Sequence, residues 1–224
     1  MEILFEDNHL IAVNKKISDL VQGDKTGDET LADRVKQYIK HKYNKPGEAF
    51  LGICHRLDRP VSGVVLFART SKSLSRLNRM FQEKEIRKEY LAIVLERPPD
   101  DEGKLFHFLK KNEGQNKSYA FDKKIKAGKE ASLSYRMISR SERYYLLEIE
   151  LHTGRHHQIR CQLAAAGCPI KGDLKYGYSR SNDNNGISLH ARKLTFVHPV
   201  QKEEIVITAP LPEDDIWPLF ADLI

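Results

Sequence analysis

The sequence of 224 residues lacks the features that secreted, disulfide-stabilised and membrane proteins share. It has three cysteines and no CxxC pair, which argues against a disulfide framework or a cysteine-rich zinc site. The chain begins MEILFEDNHL, with acids where a signal peptide needs basic residues. No apolar run approaches the ~18 residues of a membrane span. These absences predict a cytoplasmic protein in a reducing compartment, with no membrane partner.

The composition is that of a globular protein with a basic surface. Hydrophobic residues make up 40% and charged residues 30%, which is enough for a real core. The formal net charge is +6 and the pI about 9.1, so the surface field favours polyanions. Charge alone fits an ordinary solvated surface equally well.

Apolar periodicity predicts many strands and three helices. The helices are expected over residues 28–43, 70–86 and 154–169, the second capped by Thr70 or Ser71 and the third closed by Gly167. Strands are expected over 3–7, 9–14, 63–68, 88–96, 118–125, 131–138, 144–152, 187–199 and 203–210. Residues 97–103, RPPDDEG, predict a turn-rich break. Strands and helices do not alternate regularly, which predicts an α+β fold with a mixed, mainly antiparallel sheet and flanking helices.

One carboxylate stands out in the stretch HRLDRPVSGVVLFART, residues 55–70. Asp58 lies between Arg56 and Arg59, whose positive charge favours the ionised acid. An ionised carboxylate can act as a nucleophile, a general base or a ligand. The plainer alternative is a turn residue with surface ion pairs, since Pro60 and Gly63 predict a tight turn.

A second cluster of polar residues is LHTGRHHQIRCQL, residues 151–163. The pattern predicts a strand-to-helix junction, whose backbone N–H groups suit a phosphate, with Arg155 in the first helical turn. Arg160 is then expected on the side of His156 at helical spacing. The spacing of the three histidines does not match HExxH, so we expect hydrogen bonds within the fold and to RNA and no metal.

Two further groups carry the potential to bind nucleic acid. Tyr90 in RKEYLAIV shares a strand face with Lys88, and an aromatic ring beside cations can stack on a base, although core or surface packing is the commoner role. Three cations of the second helix share one face, which is either solvated or in contact with phosphates: Lys72, Arg76 and Arg79.

These stretches resemble the RluA-type RNA pseudouridine synthases. HRLDRPVSGVVLFA resembles their signature HRLDxxTSG, and LHTGRHHQIR resembles their downstream LxTGRTHQIR. Four more blocks are similar and stand in the same order: ILFEDNHLIAVNK, KEYLAIV, GDLKYG and LHARKLTFVHP. The similarity covers the chain to about Pro210. Val61 and His156 stand where that family has Thr, and KKIS at residues 15–18 replaces KPxG, which affects substrate choice more than chemistry.

The resemblance implies an activity and roles for the residues. Uridine in structured rRNA or tRNA would become pseudouridine without cofactor or metal, in one catalytic domain over residues 1–224 that lacks the N-terminal RNA-binding domain of many relatives. Asp58 would be the nucleophile or base, Arg160 would pair with it, and Tyr90 would stack on the target uracil. Arg56 would fill the space that the flipped base leaves. The expected RNA contacts are Arg56, Arg155, His156, Lys72, Arg76, Arg79 and Lys88.

Two other classes of function stay open at this stage. The first is an RNA-binding protein without catalysis, against which the retained Asp58, Tyr90 and Arg160 argue. The second is a hydrolase that uses Asp58 and a histidine, against which the missing metal set and missing GxSxG elbow argue. We expect a monomer, since no heptad or exposed apolar stripe indicates assembly.

Overall fold

The computed structural model describes residues 1–23 and 27–223. Its helices are α1 Leu31–Lys42, α2 Ser71–Glu83 and α3 Gln158–Ala165, with 3-10 turns at Leu174–Tyr176 and Trp217–Leu223. Its strands are β1 Glu2–Glu6, β2 Leu10–Lys15, β3 Gly52–Ile53, β4 Ser62–Ala68, β5 Arg87–Val94, β6 Glu102–Asn112, β7 Lys117–Phe121, β8 Lys129–Arg140, β9 Tyr145–Leu151, β10 Leu189–Val197 and β11 Glu204–Thr208. No helix in the described part of the chain is long and apolar enough to cross a membrane. The α+β prediction, with mainly antiparallel strands, is confirmed.

The chain forms two compact units, of which the first comprises residues 1–86 and 191–210. Its strands run in the order β1-β2-β4-β10, with β11 on β10 and β3 on β4. Helix α1 begins at a capping box in which Thr30 and Asp33 bond each other's backbone N–H groups. Helix α2 begins at Thr70, whose hydroxyl accepts the Ser73 N–H, and packs its apolar stripe on β4.

Strand β4 explains the glycine of the signature. Every residue from Val64 to Ala68 is fully buried, as the continuous apolar run predicts. Gly63 precedes them with φ +114°, and a Cβ built there would overlap the backbone of Ala191. Only glycine combines that dihedral angle with that close approach.

We expect Gly63→Ala to lower the free energy of unfolding by about 3 kcal/mol or more, since backbone strain and a backbone clash add. Gly167→Ala is the matched control, because Gly167 has φ +81° with no atom within 4 Å of a built Cβ. Its cost should stay near 1 kcal/mol, from strain alone. Urea unfolding of both variants measures the difference, and equal costs would contradict the packing argument.

The second unit comprises residues 87–190 and 211–224. Its strands run β5-β9-β8-β6-β7 in antiparallel pairs. Helix α3 packs on the sheet through Cys161, which lies in one cluster with Leu109 of β6 and Ala131 of β8. Trp217 and Phe220 bury themselves against Leu91 and Leu146. This unit contains β5, which carries Tyr90, and α3, which carries Arg160 near its start.

Two predictions of local structure are wrong. Residues 102–112 form the long strand β6, which the pattern did not reveal. Helix α3 starts at Gln158, four residues later than expected, after His157 in the left-handed conformation. Arg155 therefore lies before the helix and not in its first turn, and His156 shares no helical face with Arg160.

Candidate active site

Asp58 lies in a turn of the first unit, between β3 and β4. The Val61 N–H donates to the Asp58 carbonyl at 3.1 Å and closes the turn. Leu57 is buried beside it, and the Asp58 side chain is half-buried. Arg56 and Arg59 are exposed, and Arg59 reaches Asp28 at 3.4 Å. The turn therefore keeps the carboxylate at the surface, in a cationic environment.

A fully buried lysine holds this turn from below. Lys15 ends β2 opposite Gly63, and its side chain has no exposed surface. Its Nζ donates to the carbonyls of Val61 at 2.6 Å, Arg59 at 3.0 Å and Lys16 at 3.1 Å. An ammonium has three N–H donors, so all three are used. Sequence reasoning treated Lys15 only as part of a departure from a motif and missed this role.

Burial lowers the pKa of Lys15 from 10.5 to about 8, against the opposing charges of Asp19 and Asp58. Between pH 8 and 10.5 the unfolded chain therefore holds a proton that the native state has released. We expect the Lys15 contribution to be constant below pH 8 and then to raise the free energy of unfolding by about 1.4 kcal/mol per pH unit. Urea unfolding of wild type and Lys15→Met across this range isolates the effect, and a pH-independent difference would refute it.

His55 fastens the start of the signature to β4. Its Nε2 accepts the Leu66 N–H at 2.9 Å, and its ring stacks on Phe81 with centroids 4.9 Å apart. A ring nitrogen that accepts a backbone N–H carries no proton, so this contact requires neutral imidazole. The signature histidine is thereby given a positioning role.

In the second unit Tyr90 lies on β5 opposite Ile149 of β9. Lys88 stands two residues before it and so faces the same side of the sheet. A Cβ on Gly154 would lie 3.9 Å from the Lys88 Nζ, which places this lysine beside residues 153–156, here called the TGR loop. The structure thus brings Lys88 close to Gly154, the residue that precedes Arg155.

The TGR loop is fixed by a network around Gln158. Its Oε1 accepts the Thr153 hydroxyl at 2.7 Å and the Arg155 N–H at 3.0 Å. Its Nε2 donates to the Ser132 carbonyl at 3.1 Å and to Gln162 at 3.0 Å. Because the side chains of Gln158, Thr153 and Gln162 are buried, the bonds that join them are costly to break. The glutamine of the motif is therefore the residue that shapes the loop.

Arg155 and His156 lie in the loop before α3 and not, as was expected, on a face of the helix. The exposed Arg155 donates Nε to the Glu130 carbonyl at 2.8 Å. His156 contacts Ser118 Oγ at 2.9 Å and Asn116 Oδ1 at 3.1 Å, and stacks on His157 at 3.7 Å. His152 contacts Ser134 Oγ at 2.8 Å. The prediction that these histidines hydrogen-bond within the fold is confirmed.

Arg160 is buried in α3 and forms a two-point ion pair that the sequence did not reveal. Its Nε lies 2.7 Å from Asp173 Oδ2 and its Nη2 2.9 Å from Oδ1. Both side chains are nearly inaccessible, at 6% and 1% exposure. Tyr176 lies over the guanidinium at 5.2 Å, and burial raises its pKa to about 12. The GDLKYG block thus supplies the acid and the ring that hold Arg160.

The basic face of α2 is partly engaged within the protein. Arg76 donates to the Pro199 carbonyl at 2.9 Å, and Arg79 pairs with Glu83 at 2.9 Å, while Lys72 is exposed. A cavity of about 570 Å³ beside them is lined by cations and by Glu83 and Glu85. Mixed charge weakens the attraction for phosphate, so an RNA contact by this face stays a prediction.

The fold places the chain in a class of known proteins. The structure of human RNA pseudouridylate synthase domain containing 4 aligns with a TM-score of 0.78 at 23% sequence identity, over 95% of this chain and 89% of that chain. The fold is that of the pseudouridylate synthases.

The sequence matches agree with this class. The family model described as RNA pseudouridylate synthase matches residues 9–165, well over half of the chain. A tRNA pseudouridine synthase C of Vibrio parahaemolyticus is 34% identical over 242 residues, covering 97% of this chain and 92% of the relative. A ribosomal large subunit pseudouridine synthase C of Buchnera aphidicola is 34% identical over 221 residues, covering 95% and 68%. The chain belongs to the RNA pseudouridylate synthase family and is an RNA-modifying isomerase.

Proposed function

We propose that this enzyme converts uridines in structured tRNA or rRNA to pseudouridine, with Asp58 as nucleophile or general base. The observation that carries the proposal is the Asp58 turn, which buried Lys15 and neutral His55 hold in place within the family signature. A binding protein has no need of a carboxylate fixed in this way. The relatives named for tRNA and for ribosomal RNA support both RNA classes as substrates.

The reaction rearranges one nucleotide without a co-reactant. The bond between C1′ and uracil N1 breaks, the ring turns, and C5 bonds to C1′. C5 loses its proton to solvent and N1 gains one, so atoms and electrons balance. A carboxylate that adds to the sugar divides this into two easier steps, whereas one that removes a proton assists a single path.

The other residues have proposed roles that follow from the family resemblance. Tyr90 stacks on the target uracil and Arg160 keeps Asp58 charged and oriented. Arg56 occupies the space that the extruded base leaves in the RNA. Lys88, Arg155 and His156 contact phosphates near the target, with weaker contributions from the α2 face. We also propose that both units serve one reaction, in a cytoplasmic monomer that needs no metal or cofactor.

Tritium release from RNA labelled at uracil C5 tests the function directly. Total RNA from a strain that lacks this gene serves as substrate, since its target uridines are unmodified. We expect tritium in water and pseudouridine in the RNA digest. Free uracil in place of pseudouridine would identify a hydrolase. Tight RNA binding without either product would leave a non-catalytic RNA-binding protein.

A further inference from the structure

The positive charge of the chain is concentrated in one segment. Residues 104–129, which include most of β6, all of β7 and the connection to β8, contain eight lysines and two acids, Glu113 and Asp122. Their formal charge of +6 equals that of the whole chain, so the other residues sum to zero. The excess positive charge of this protein therefore lies in the β6–β7 hairpin and in the connection that follows it, in about equal parts.

The two faces of this hairpin differ in kind. One face is covered by α3, where Leu109 packs near Cys161 and the Gln162 side chain reaches His107 at 3.0 Å. The other face exposes large rings: Phe106 is 52% exposed, Tyr119 41% and Phe121 39%.

Lysines alternate with these rings. The strand register sets Lys110 opposite Tyr119 and Phe108 opposite Phe121, so all four side chains share the uncovered face. We call Lys104, Phe106, Lys110, Tyr119 and Phe121 the hairpin face.

The hairpin is attached to the candidate site at its turn. Asn116 and Ser118 contact His156 of the TGR loop. The Lys175 Nζ donates to the carbonyls of Gln115 and Asn116. These contacts fix the hairpin relative to the loop that carries Arg155, so an RNA held by that loop has a rigid cationic arm beside it.

We propose that the hairpin face is a second RNA-binding surface, which holds a part of the substrate remote from the target uridine. Bases stack on exposed rings whatever their sequence, and neighbouring lysines neutralise phosphates. A protein partner fits less well, because lysine is depleted where protein interfaces are buried. The proposal rests on the proposed function, since it takes the RNA substrate as the ligand.

The test compares paired substitutions on the hairpin face with matched controls elsewhere. Lys104→Gln with Lys110→Gln removes two cations, and Phe106→Ala with Phe121→Ala removes two rings. The controls are Lys36→Gln with Lys40→Gln on α1 and Phe50→Ala, all at accessible positions of the first unit. Binding of a fluorescent stem-loop RNA is measured over a range of salt, and KM by tritium release.

Loss of the two lysines should make the negative slope of log K against log salt shallower by about 2. Loss of the two rings should weaken binding about 10-fold with little change in slope. Both losses should appear in KM. If the wild type forms pseudouridine but the hairpin variants have the same RNA affinity, salt slope and KM as the controls, the proposed surface is overturned and the proposed function stands. If the hairpin variants bind RNA more weakly than the wild type, but the wild type itself releases no tritium, the RNA-binding surface is upheld and the proposed function is overturned.

Discussion

Replacing Asp58 by asparagine is expected to reduce tritium release by at least about 10³-fold, whereas RNA binding should change only a few-fold. The substitution keeps the shape of the side chain and removes its charge, and both roles open to Asp58 need a carboxylate. A general base contributes about 10²–10⁴-fold, and loss of a nucleophile can cost more. The kcat at saturating RNA, with a binding titration beside it, separates chemistry from affinity.

Asp28→Asn is the matched control for this experiment. Asp28 lies near the same turn, through its pair with Arg59, but is half exposed. The same loss of charge there should leave kcat within a few-fold of wild type. Asp58→Glu gives an intermediate case, because displacement of the oxygen by about 1 Å can cost 10²-fold. Activity of Asp58→Asn within 10-fold of wild type would remove this residue from the chemistry.

The same variant has a second, independent signature in the protein itself. The charge of Asp58 raises the pKa of Lys15, against the larger lowering by burial. Asp58→Asn should therefore lower the Lys15 pKa below about 8 and shift the pH range in which stability rises to lower pH. This shift is measurable without RNA, so it reports that the turn is intact even when activity is lost.

The sequence predicts those features of the fold that depend on residues close to one another in the chain. The cap of α2, the buried β4 run and the Gly167 end of α3 are set by neighbours in sequence. The last two were predicted, and the cap was narrowed to Thr70 or Ser71, of which the structure has Thr70. Strand β6 was missed because Phe106 and Phe108 share its uncovered face, so Leu-Phe-His-Phe-Leu shows no alternation of polar and apolar residues. The exposed rings that obscured the strand are those of the hairpin face.

The remaining errors concern contacts between distant residues. The start of α3 is set by Gln158, whose side chain bonds Thr153 and Ser132 and so holds the preceding residues outside the helix. Buried Lys15 bonds carbonyls more than 40 residues away, at Arg59 and Val61. A local sequence pattern predicts that a charged residue in a strand is exposed, because the partners that would allow its burial are distant in sequence. Family blocks identified these positions without giving their reasons.

The pair of Arg160 and Asp173 leads to the other prediction of large effect. Removal of one partner from a buried ion pair costs about 3–5 kcal/mol, since the other charge is left without compensation. We expect Arg160→Met, which leaves the buried Asp173 carboxylate without this cation, to lower the free energy of unfolding by about this amount, and Asp173→Asn, which removes one two-point contact of Arg160, to lower it as well. The double variant should recover much of the loss, because no buried charge then remains unpaired. Urea unfolding of the four proteins measures the coupling energy, and additive losses would contradict it.

Activity should not follow stability in this series. If Arg160 acts on Asp58, the double variant regains its fold without regaining turnover, when it is assayed in conditions where every variant is folded. The readout is the kcat per folded molecule of the double variant at saturating RNA. A kcat of the double variant within a few-fold of wild type would reduce Arg160 to a structural partner of Asp173.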